Sequence, residues 1–252
     1  MASALSPSSI STWETCPKQY HFTRILRVKT SVDENQALGL FVHRLLQAVC
    51  EQPPGDRDLG RARSLATSLW AGEDWQAVIQ DLKISHDGQV GLKRRAWERT
   101  VTAFELMCPA SLEVVATEMD IQADMAGVPM HVVIDLVTRE SGALVVSDYK
   151  TGAKPVYEDA LDRKFHQLAT YAALLEVVLG ERPALVRLAF LEDGRLAERS
   201  VDEVMVGSAR DEAAAVWAAV NLAYQQDRWP TQPGKLCAWC PCIAICPFHN
   251  PA

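Results

Sequence analysis

The chain has 252 residues, of which 48% are hydrophobic and 23% are charged. This is enough for one well-buried domain, and the absence of any run of 18 or more apolar residues predicts that no helix spans a membrane. The net charge of −7 excludes a general attraction to nucleic acid or to anionic membranes, so a polyanion must bind a local basic surface.

The first segment, MASALSPSSISTWETCP, lacks the basic-then-apolar order of a signal peptide, so we expect a cytoplasmic protein. Its Ser and Thr residues can cap a helix, which Pro17 would interrupt or restart. Two basic clusters are candidate surfaces for a polyanion, and for each the alternative is a solvated helix face. They are Lys18, Arg24, Arg27 and Lys29 in the first, and Lys93, Arg94, Arg95 and Arg99 in the second.

Helical patterns continue as far as residue 106. The stretch ALGLFVHRLLQAVC places apolar residues at helical spacings, with His43 inside the pattern. Two or three amphipathic helices follow between about residues 59 and 106, and Cys108-Pro109 ends them.

The hydrophobic period then changes to that of strands. LEVVATEMDIQADMAG and VPMHVVIDLV alternate and are joined at Gly127, which predicts a hairpin. GALVVSDYKTG is a third strand, a helix runs from about residue 160 to 179, and ALVRLAFLED is a fourth strand before a final helix from 206 to 226. This order predicts an α/β domain with an early helical insertion.

Acidic and basic side chains meet at the ends of two predicted strands. Asp148 and Lys150 are two apart and therefore point to the same face of a strand, and Asp135 ends the preceding strand. Pairing of the strands would bring both carboxylates together beside the lysine, which suits Mg²⁺ or Mn²⁺. Solvent-facing Asp and Lys side chains at a strand end are the alternative.

Four of the seven cysteines lie in CAWCPCIAIC near the end of the chain. Their clustering and odd total favour a metal site over a disulfide framework. Cys237, Cys240 and Cys246 supply three thiolates, and either Cys242 or the distant Cys16 could supply a fourth. Spacing alone leaves both a zinc ion and an iron–sulfur cluster open.

The pattern of Gly39 and His43, Asp135, Asp148-Tyr149-Lys150-Thr151-Gly152 and HQLATY resembles the RecB-like branch of the PD-(D/E)XK nuclease superfamily. The resemblance implies a restriction-endonuclease-like core, in which a central mixed sheet is flanked by helices. It also implies that the metal is bound by His43, Asp135 and Asp148, that Lys150 is catalytic, and that Gln167 and Tyr171 support the site. Glu118, in an earlier strand, is either near the site or solvent-facing.

The cysteines resemble those of RecB-like nucleases with an iron–sulfur cluster, including the AddB nuclease domain and the CRISPR-adaptation nucleases. In these one cysteine precedes the core in a Cys-Pro context and three follow it. The resemblance assigns a 4Fe-4S cluster to Cys16, Cys237, Cys240 and Cys246, with Cys242 as a spare. The cluster would tie the two chain ends together and place Lys18, Tyr20 and Arg24 near the DNA.

We therefore expect a single nuclease domain over residues 1–252. Its parts are N-terminal helices (1–50), a helical insertion (59–107), the nuclease core (110–226) and a cluster-binding tail (227–252). The expected activity is Mg²⁺- or Mn²⁺-dependent hydrolysis of DNA at ends or in single strands, as an exonuclease. The alternatives are a subunit of a CRISPR-adaptation or recombination complex, and a non-catalytic nucleic-acid-binding module with a structural zinc.

Overall fold

A five-stranded mixed sheet forms the centre of the computed structural model, which describes residues 4–29 and 32–249. The strands lie side by side in chain order, β3 and β4 are parallel, and the other neighbours are antiparallel. They are β1 (Glu113–Met125), β2 (Val128–Glu140), β3 (Ala143–Lys150), β4 (Leu185–Phe190) and β5 (Arg195–Ser200). The expected α/β class is confirmed.

Helices cover both faces of the sheet. They are α1 (Pro7–Thr15), α2 (Pro17–Tyr20), α3 (Glu34–Cys50), α4 (Leu59–Ala71), α5 (Glu73–Leu82), α6 (His86–Met107), α7 (Glu158–Leu179) and α8 (Glu203–Gln226). Of the helices in the described ranges, none combines the length and the apolar character needed to cross a lipid bilayer.

Local sequence explains where the main helices begin and end. The Asp33 carboxylate accepts hydrogen bonds from the first turn of α3, and Asp58, Ser85 and Asp202 cap α4, α6 and α8 in the same way. Gly180 ends α7 with φ at +68°, a left-handed conformation that glycine adopts without strain. Residues 59–107 contain three helices, of which α4 and α6 have a side-chain cap, whereas α5 begins after Gly72 without one.

Strand β5 was not predicted from the sequence. It forms the polar edge of the sheet, and its sequence, RLAERS, has few apolar residues to reveal a strand period. Pairing with β4 and an ion pair hold it in place, because Arg187 of β4 lies 2.6 Å from Glu198 of β5. The same guanidinium lies 2.7 Å from Glu140 of β2, so one side chain ties three strands together.

The sheet separates two hydrophobic cores. The α7 core contains buried residues of α1, α7 and α8, such as Ile10, Leu168 and Val216. The α3 core contains buried residues of α3 to α6, such as Leu45 and Trp75. Each face of the central strands is therefore covered by helices, as expected for a sheet with a parallel pair.

The side-chain alternation of β2 is broken at Asp135. Ile134 lies in the α7 core and Leu136 in the α3 core, although residues two apart on a regular strand face the same way. Glu118 lies across from Asp135 on β1 and has a left-handed backbone, with φ at +45°. Such irregularities re-aim side chains, and here they do so in both strands at one level of the sheet.

Aromatic contacts join the two ends of the chain. Trp229, just after α8, stacks on His21 with ring centres 4.6 Å apart, and on Tyr20 at 6.4 Å. Trp13 of α1 packs edge-on against both Tyr20 and Trp229. These contacts hold the beginning of the C-terminal tail beside the segment that contains Cys16. The cysteines at residues 237–246 therefore follow a part of the chain that is already close to Cys16.

The burial pattern of β2 predicts a large difference between two adjacent substitutions. Ile134 is fully buried, whereas the side chain of Val133 is 39% exposed on the other face. We expect Ile134→Ala to lower the free energy of unfolding by about 2–5 kcal/mol, because it leaves a cavity. Val133→Ala should change it by about 0.5 kcal/mol. Urea denaturation followed by circular dichroism measures both, and equal losses would contradict the assigned facing.

Candidate functional site

Three potential metal ligands converge where β1, β2 and α3 meet. Among the described residues, His43, Glu118 and Asp135 are the one group of three or more His, Cys, Asp or Glu side chains whose ligand atoms lie within 4.8 Å of one another. Nδ1 of His43 is 3.4 Å from Asp135 Oδ2 and 3.7 Å from Glu118 Oε1. Two of these ligands, Asp135 and Glu118, are the residues at which the backbones of β2 and β1 are irregular.

The orientation of His43 is set by its second ring nitrogen. Nε2 donates a hydrogen bond of 2.9 Å to the backbone carbonyl of Tyr149, so that Nδ1 faces the two carboxylates. Burial by itself lowers the pKa of His43, but the charges and hydrogen bonds of Asp135 and Glu118 outweigh it and raise the pKa well above its usual value. A metal ion would take the place of the Nδ1 proton.

Asp148 and Lys150 lie next to this group, at the end of β3. The regular pairing of β2 with β3 begins at Leu136 and Ser147, and beyond it the Asp135 carboxylate accepts a 2.9 Å hydrogen bond from the backbone N–H of Tyr149. Burial, and then the nearby charge of Asp135, raise the pKa of Asp148 to about 6. The two carboxylates are therefore close enough to interact, but Asp148 lies outside the group of His43, Glu118 and Asp135, whose ligand atoms lie within 4.8 Å of one another.

The donor atoms fit a divalent cation. Lys150 Nζ lies 2.7 Å from Asp148 Oδ2, so the ammonium compensates the charge of this buried carboxylate. One imidazole and several carboxylates suit Mg²⁺ or, because of the imidazole, Mn²⁺.

Helix α7 supplies the other side of the site. Gln167 accepts a 3.0 Å hydrogen bond from Lys150 Nζ, and its own amide donates to the Tyr171 hydroxyl. Lys164, one turn before Gln167 on the same face, lines a cleft of about 690 Å³ together with Lys150. Burial and then the charge of Lys150 lower the pKa of Lys164. The cleft leads from the site outward between α7 and α1.

Glu118 and Lys164 were not assigned from the sequence. The hairpin register would have placed Glu118, since Thr117 and Met119 pair with Leu136 and Ile134 on either side of Asp135. Its backbone strain is a further sign, because left-handed non-glycine residues concentrate at functional sites. Lys164 could have been found from its spacing of three residues from Gln167.

The cysteines of the two chain ends line one pocket. Cys16, between α1 and α2, faces a cavity of about 300 Å³ that is also lined by Cys237, Cys240, Cys242 and Cys246. Backbone N–H groups of Gln232 and Gly234 donate to the sulfur atoms of Cys16 and Cys237 at 3.5 and 3.4 Å. All seven cysteines of the chain are free thiols, and Cys50 and Cys108 do not line this pocket.

The cysteine at position 242 differs from the other four of the pocket. It is 2% exposed, whereas the others are partly exposed. Burial, and then the neighbouring Cys240, raise the pKa of the Cys242 thiol. Cys242 is therefore the least solvent-exposed of the five cysteines in the pocket.

The predicted nucleic-acid contacts require a correction. Tyr20 is fully buried between Trp13 and Trp229, so its ring cannot stack on a base. Lys18 lines the cysteine pocket and lies 5.2 Å from the centre of the Phe22 ring. Arg24 donates a 3.0 Å hydrogen bond to the Ser8 hydroxyl, which also lines the cleft that leads to Lys150.

The second basic cluster is largely neutralised. Arg94 pairs with Glu98 at 3.0 Å and Arg95 with Glu34 at 2.7 Å. Arg99 binds the carbonyl of Thr151 and lies 3.3 Å from Glu192. Three of the four side chains in this cluster therefore form local ion pairs and are not free to bind a polyanion. Lys93 forms no ion pair within the described ranges.

A protein-family model described as the PD-(D/E)XK nuclease superfamily matches residues 4–247. The match includes every residue of the carboxylate site and all five cysteines of the pocket. No curated protein matches the chain.

A solved structure shares the fold at low sequence identity. A protein described as "Putative exonuclease" from Eubacterium rectale superposes with a TM-score of 0.60 at 12% identity, covering 95% of this chain and 87% of that one. A protein named SSO0001 covers 84% of this chain and 95% of its own at 15% identity, with a TM-score of 0.37. The first of these likenesses extends over nearly the whole chain and shows a common architecture.

Two acidic residues of β1 provide a test of the metal ligands. Glu118 lies in the ligand group, whereas Asp120, two residues later, pairs with His131 outside it. We expect Glu118→Gln to weaken Mn²⁺ binding about 10- to 100-fold, and Asp120→Asn to leave it unchanged. Isothermal titration calorimetry measures both affinities. Equal affinities for the two variants would remove Glu118 from the site.

Proposed function

Because the chain belongs to the PD-(D/E)XK nuclease superfamily, we propose that it is a metal-dependent deoxyribonuclease of the RecB-like branch. The observation that carries this proposal is the convergence of His43, Glu118 and Asp135 on the end of β3, where Asp148 and Lys150 stand. A binding platform would gain nothing from converging carboxylates, since they repel phosphate.

The residues of the site would have three roles, which are metal binding, neutralisation of charge and positioning. His43, Asp135 and Asp148, together with Glu118, would hold Mg²⁺ or Mn²⁺, which supplies a polarised phosphoryl oxygen and a more acidic water when bound. The Lys150 ammonium, held by Asp148 and Gln167, would neutralise the charge that develops on the phosphate. Gln167 and Tyr171 would position that ammonium rather than touch the substrate.

The substrate strand would follow the cleft between α1 and α7. The walls of this cleft carry Lys150, Arg163 and Lys164 as well as Glu14 and Glu212. Neither Arg163 nor Lys164 forms an ion pair with a carboxylate in the described part of the chain, and these two cations mark the side that a phosphate backbone would follow. A phosphate backbone would supply the missing anions. An exonuclease mode is favoured by the description of the Eubacterium rectale protein, whose fold this chain shares.

We further propose that Cys16, Cys237, Cys240 and Cys246 bind a 4Fe-4S cluster, with Cys242 as a buried spare. Five cysteines facing one cavity support a metal centre, and the N–H groups directed at Cys16 and Cys237 are of the kind that tune cluster sulfurs. The residues of the tail and of the N-terminus would thereby close a loop that spans most of the chain.

The arrangement of the sulfur atoms does not match a closed zinc site. Four thiolates on one zinc ion at about 2.3 Å lie about 3.8 Å from one another. Among the described residues, no three cysteine ligand atoms lie within 4.8 Å of one another. The pocket as arranged is therefore wider than a zinc site requires.

The four parts anticipated from the sequence would act as one nuclease domain. The cysteine pocket adjoins α1, and α1 forms a wall of the cleft, so the tail is part of the structure that shapes the site. Free thiols throughout the chain favour a reducing compartment, and we propose the cytoplasm.

One observation favours a second candidate, a nuclease subunit of a larger complex such as a CRISPR-adaptation or recombination complex. The tail exposes large apolar side chains, with Trp239 at 78%, Leu236 at 63% and Phe248 at 54%. Exposed apolar clusters of this kind often mark protein interfaces. A purified protein that binds Mn²⁺ and DNA but cuts no substrate would favour this candidate.

The enzyme proposal predicts the effect of removing one ammonium. We expect Lys150→Ala to lower kcat/KM for single-stranded DNA about 10²- to 10³-fold, because its charge acts on the developing phosphate charge. Lys154→Ala, four residues later in the exposed loop, is the matched control and should keep activity within about twofold. A fluorescent-oligonucleotide assay with Mn²⁺ measures both. Full activity of Lys150→Ala would refute the assigned role.

The cluster proposal predicts different outcomes for two cysteines of one pocket. Anaerobically purified protein should contain about four irons and absorb visible light. Cys16→Ala should lose the iron and the colour, whereas Cys242→Ala should keep both. Iron, sulfide and zinc analysis decides the matter. One zinc, retained in Cys16→Ala and lost in Cys242→Ala, would show that the tail closes its own site.

A further inference from the structure

An aromatic pocket lies on the surface of the helical insertion, away from the carboxylate site. Rings of Phe41, Trp70 and Trp97 line it, and Arg63 and Lys93 stand beside the rings. We call these five residues and the space between them the indole pocket. Its volume of about 410 Å³ falls within the range of about 300–1,000 Å³ typical of small-molecule sites. None of the residues assigned to metal or to catalysis lines it.

Two uncompensated positive charges stand at the indole pocket. Lys93 Nζ is 4.6 Å from the centre of the Trp70 ring, and Arg63 Cζ is 4.9 Å from that of Trp97. Within the described ranges neither cation forms an ion pair with a carboxylate, and no Asp or Glu lines the pocket. The next two residues of α6, Arg94 and Arg95, are both paired with glutamates.

Packing alone accounts for only part of this arrangement. The inner side of Trp70 contacts Phe41 at 5.3 Å and Trp75 at 5.6 Å between ring centres, which stabilises the insertion. Trp70 and Trp97 nevertheless remain partly exposed, with cations over them. In a chain with a net charge of −7, two cations that have no carboxylate partner and lie over partly exposed indoles indicate a ligand that is an anion with a flat apolar part.

We propose that the indole pocket binds one unpaired nucleotide of single-stranded DNA. The base stacks on an indole ring or on the planar guanidinium of Arg63, and the phosphate is bound by Lys93 and Arg63. Stacking on aromatic rings accepts any base, so the site recognises single-strandedness and not sequence. The proposal rests on the proposed nuclease function in one respect, since the ligand is the substrate strand. Paired bases present no free face to the rings.

The test compares charge reversals of neighbouring residues. The probe is a fluorescent oligo(dT) single strand, and its binding is measured by anisotropy in EDTA, so that no cleavage is required. We expect Lys93→Glu and Arg63→Glu each to weaken binding about five- to tenfold, and to reduce the slope of log K against log salt by about one. Arg94→Glu changes the net charge equally but lies outside the pocket, and it should leave binding within about twofold.

Three outcomes would overturn the proposal. They are unchanged binding in both pocket variants, an equal loss in Arg94→Glu, and an equal loss with a blunt duplex hairpin as the probe. If one pocket variant fails to fold by circular dichroism, the other still decides, because the two cations lie on different helices. Wild-type protein that binds oligo(dT) through this pocket yet cuts no DNA would contradict a nuclease that acts alone, would favour the nuclease subunit, and would leave the pocket assignment standing.

Discussion

The candidate site depends on one break in the regular pleat of the sheet. If β2 alternated without interruption, Ile134 and Leu136 would face the same side of the sheet and could not lie in different cores. The irregularity at Asp135 and the left-handed Glu118 opposite it turn both acidic side chains toward His43. Because a left-handed residue costs about 1–3 kcal/mol, the two well-filled cores must stabilise it from either side.

A second dependence links the chain ends to the same site. Helix α1 belongs to the α7 core through Ile10, forms one wall of the cleft that contains Lys150, and leads directly to Cys16. Aromatic stacking of Trp229 on His21 brings the tail to that point without help from a metal. A centre bound by the cysteines would therefore fix the position of α1 relative to α7, and with it the width of the cleft.

Much of this arrangement could be predicted from the sequence, because the relevant signals are local. Spacing placed Asp148 and Lys150 on one strand face, and helical spacing placed Gln167 with Tyr171, which the hydrogen bond between them supports. Strand β5 was missed because its residues are polar and its pairing comes from β4. Tyr20 was placed wrongly because its neighbourhood is set by Trp229, more than two hundred residues away. Glu118 needed the register of the hairpin, which pairs its neighbours Thr117 and Met119 with Leu136 and Ile134.

The acidic composition can be reconciled with a DNA substrate by the way charges are paired. Arginines on the periphery, such as Arg139, Arg182 and Arg210, are held by glutamates and add little net field. Arg163 and Lys164 in the cleft, and Arg63 and Lys93 at the indole pocket, are among the cations that have no carboxylate partner in the described chain. A phosphate backbone is attracted to such local cations even when the net charge of the protein is negative. The net charge of −7 therefore does not exclude a DNA substrate.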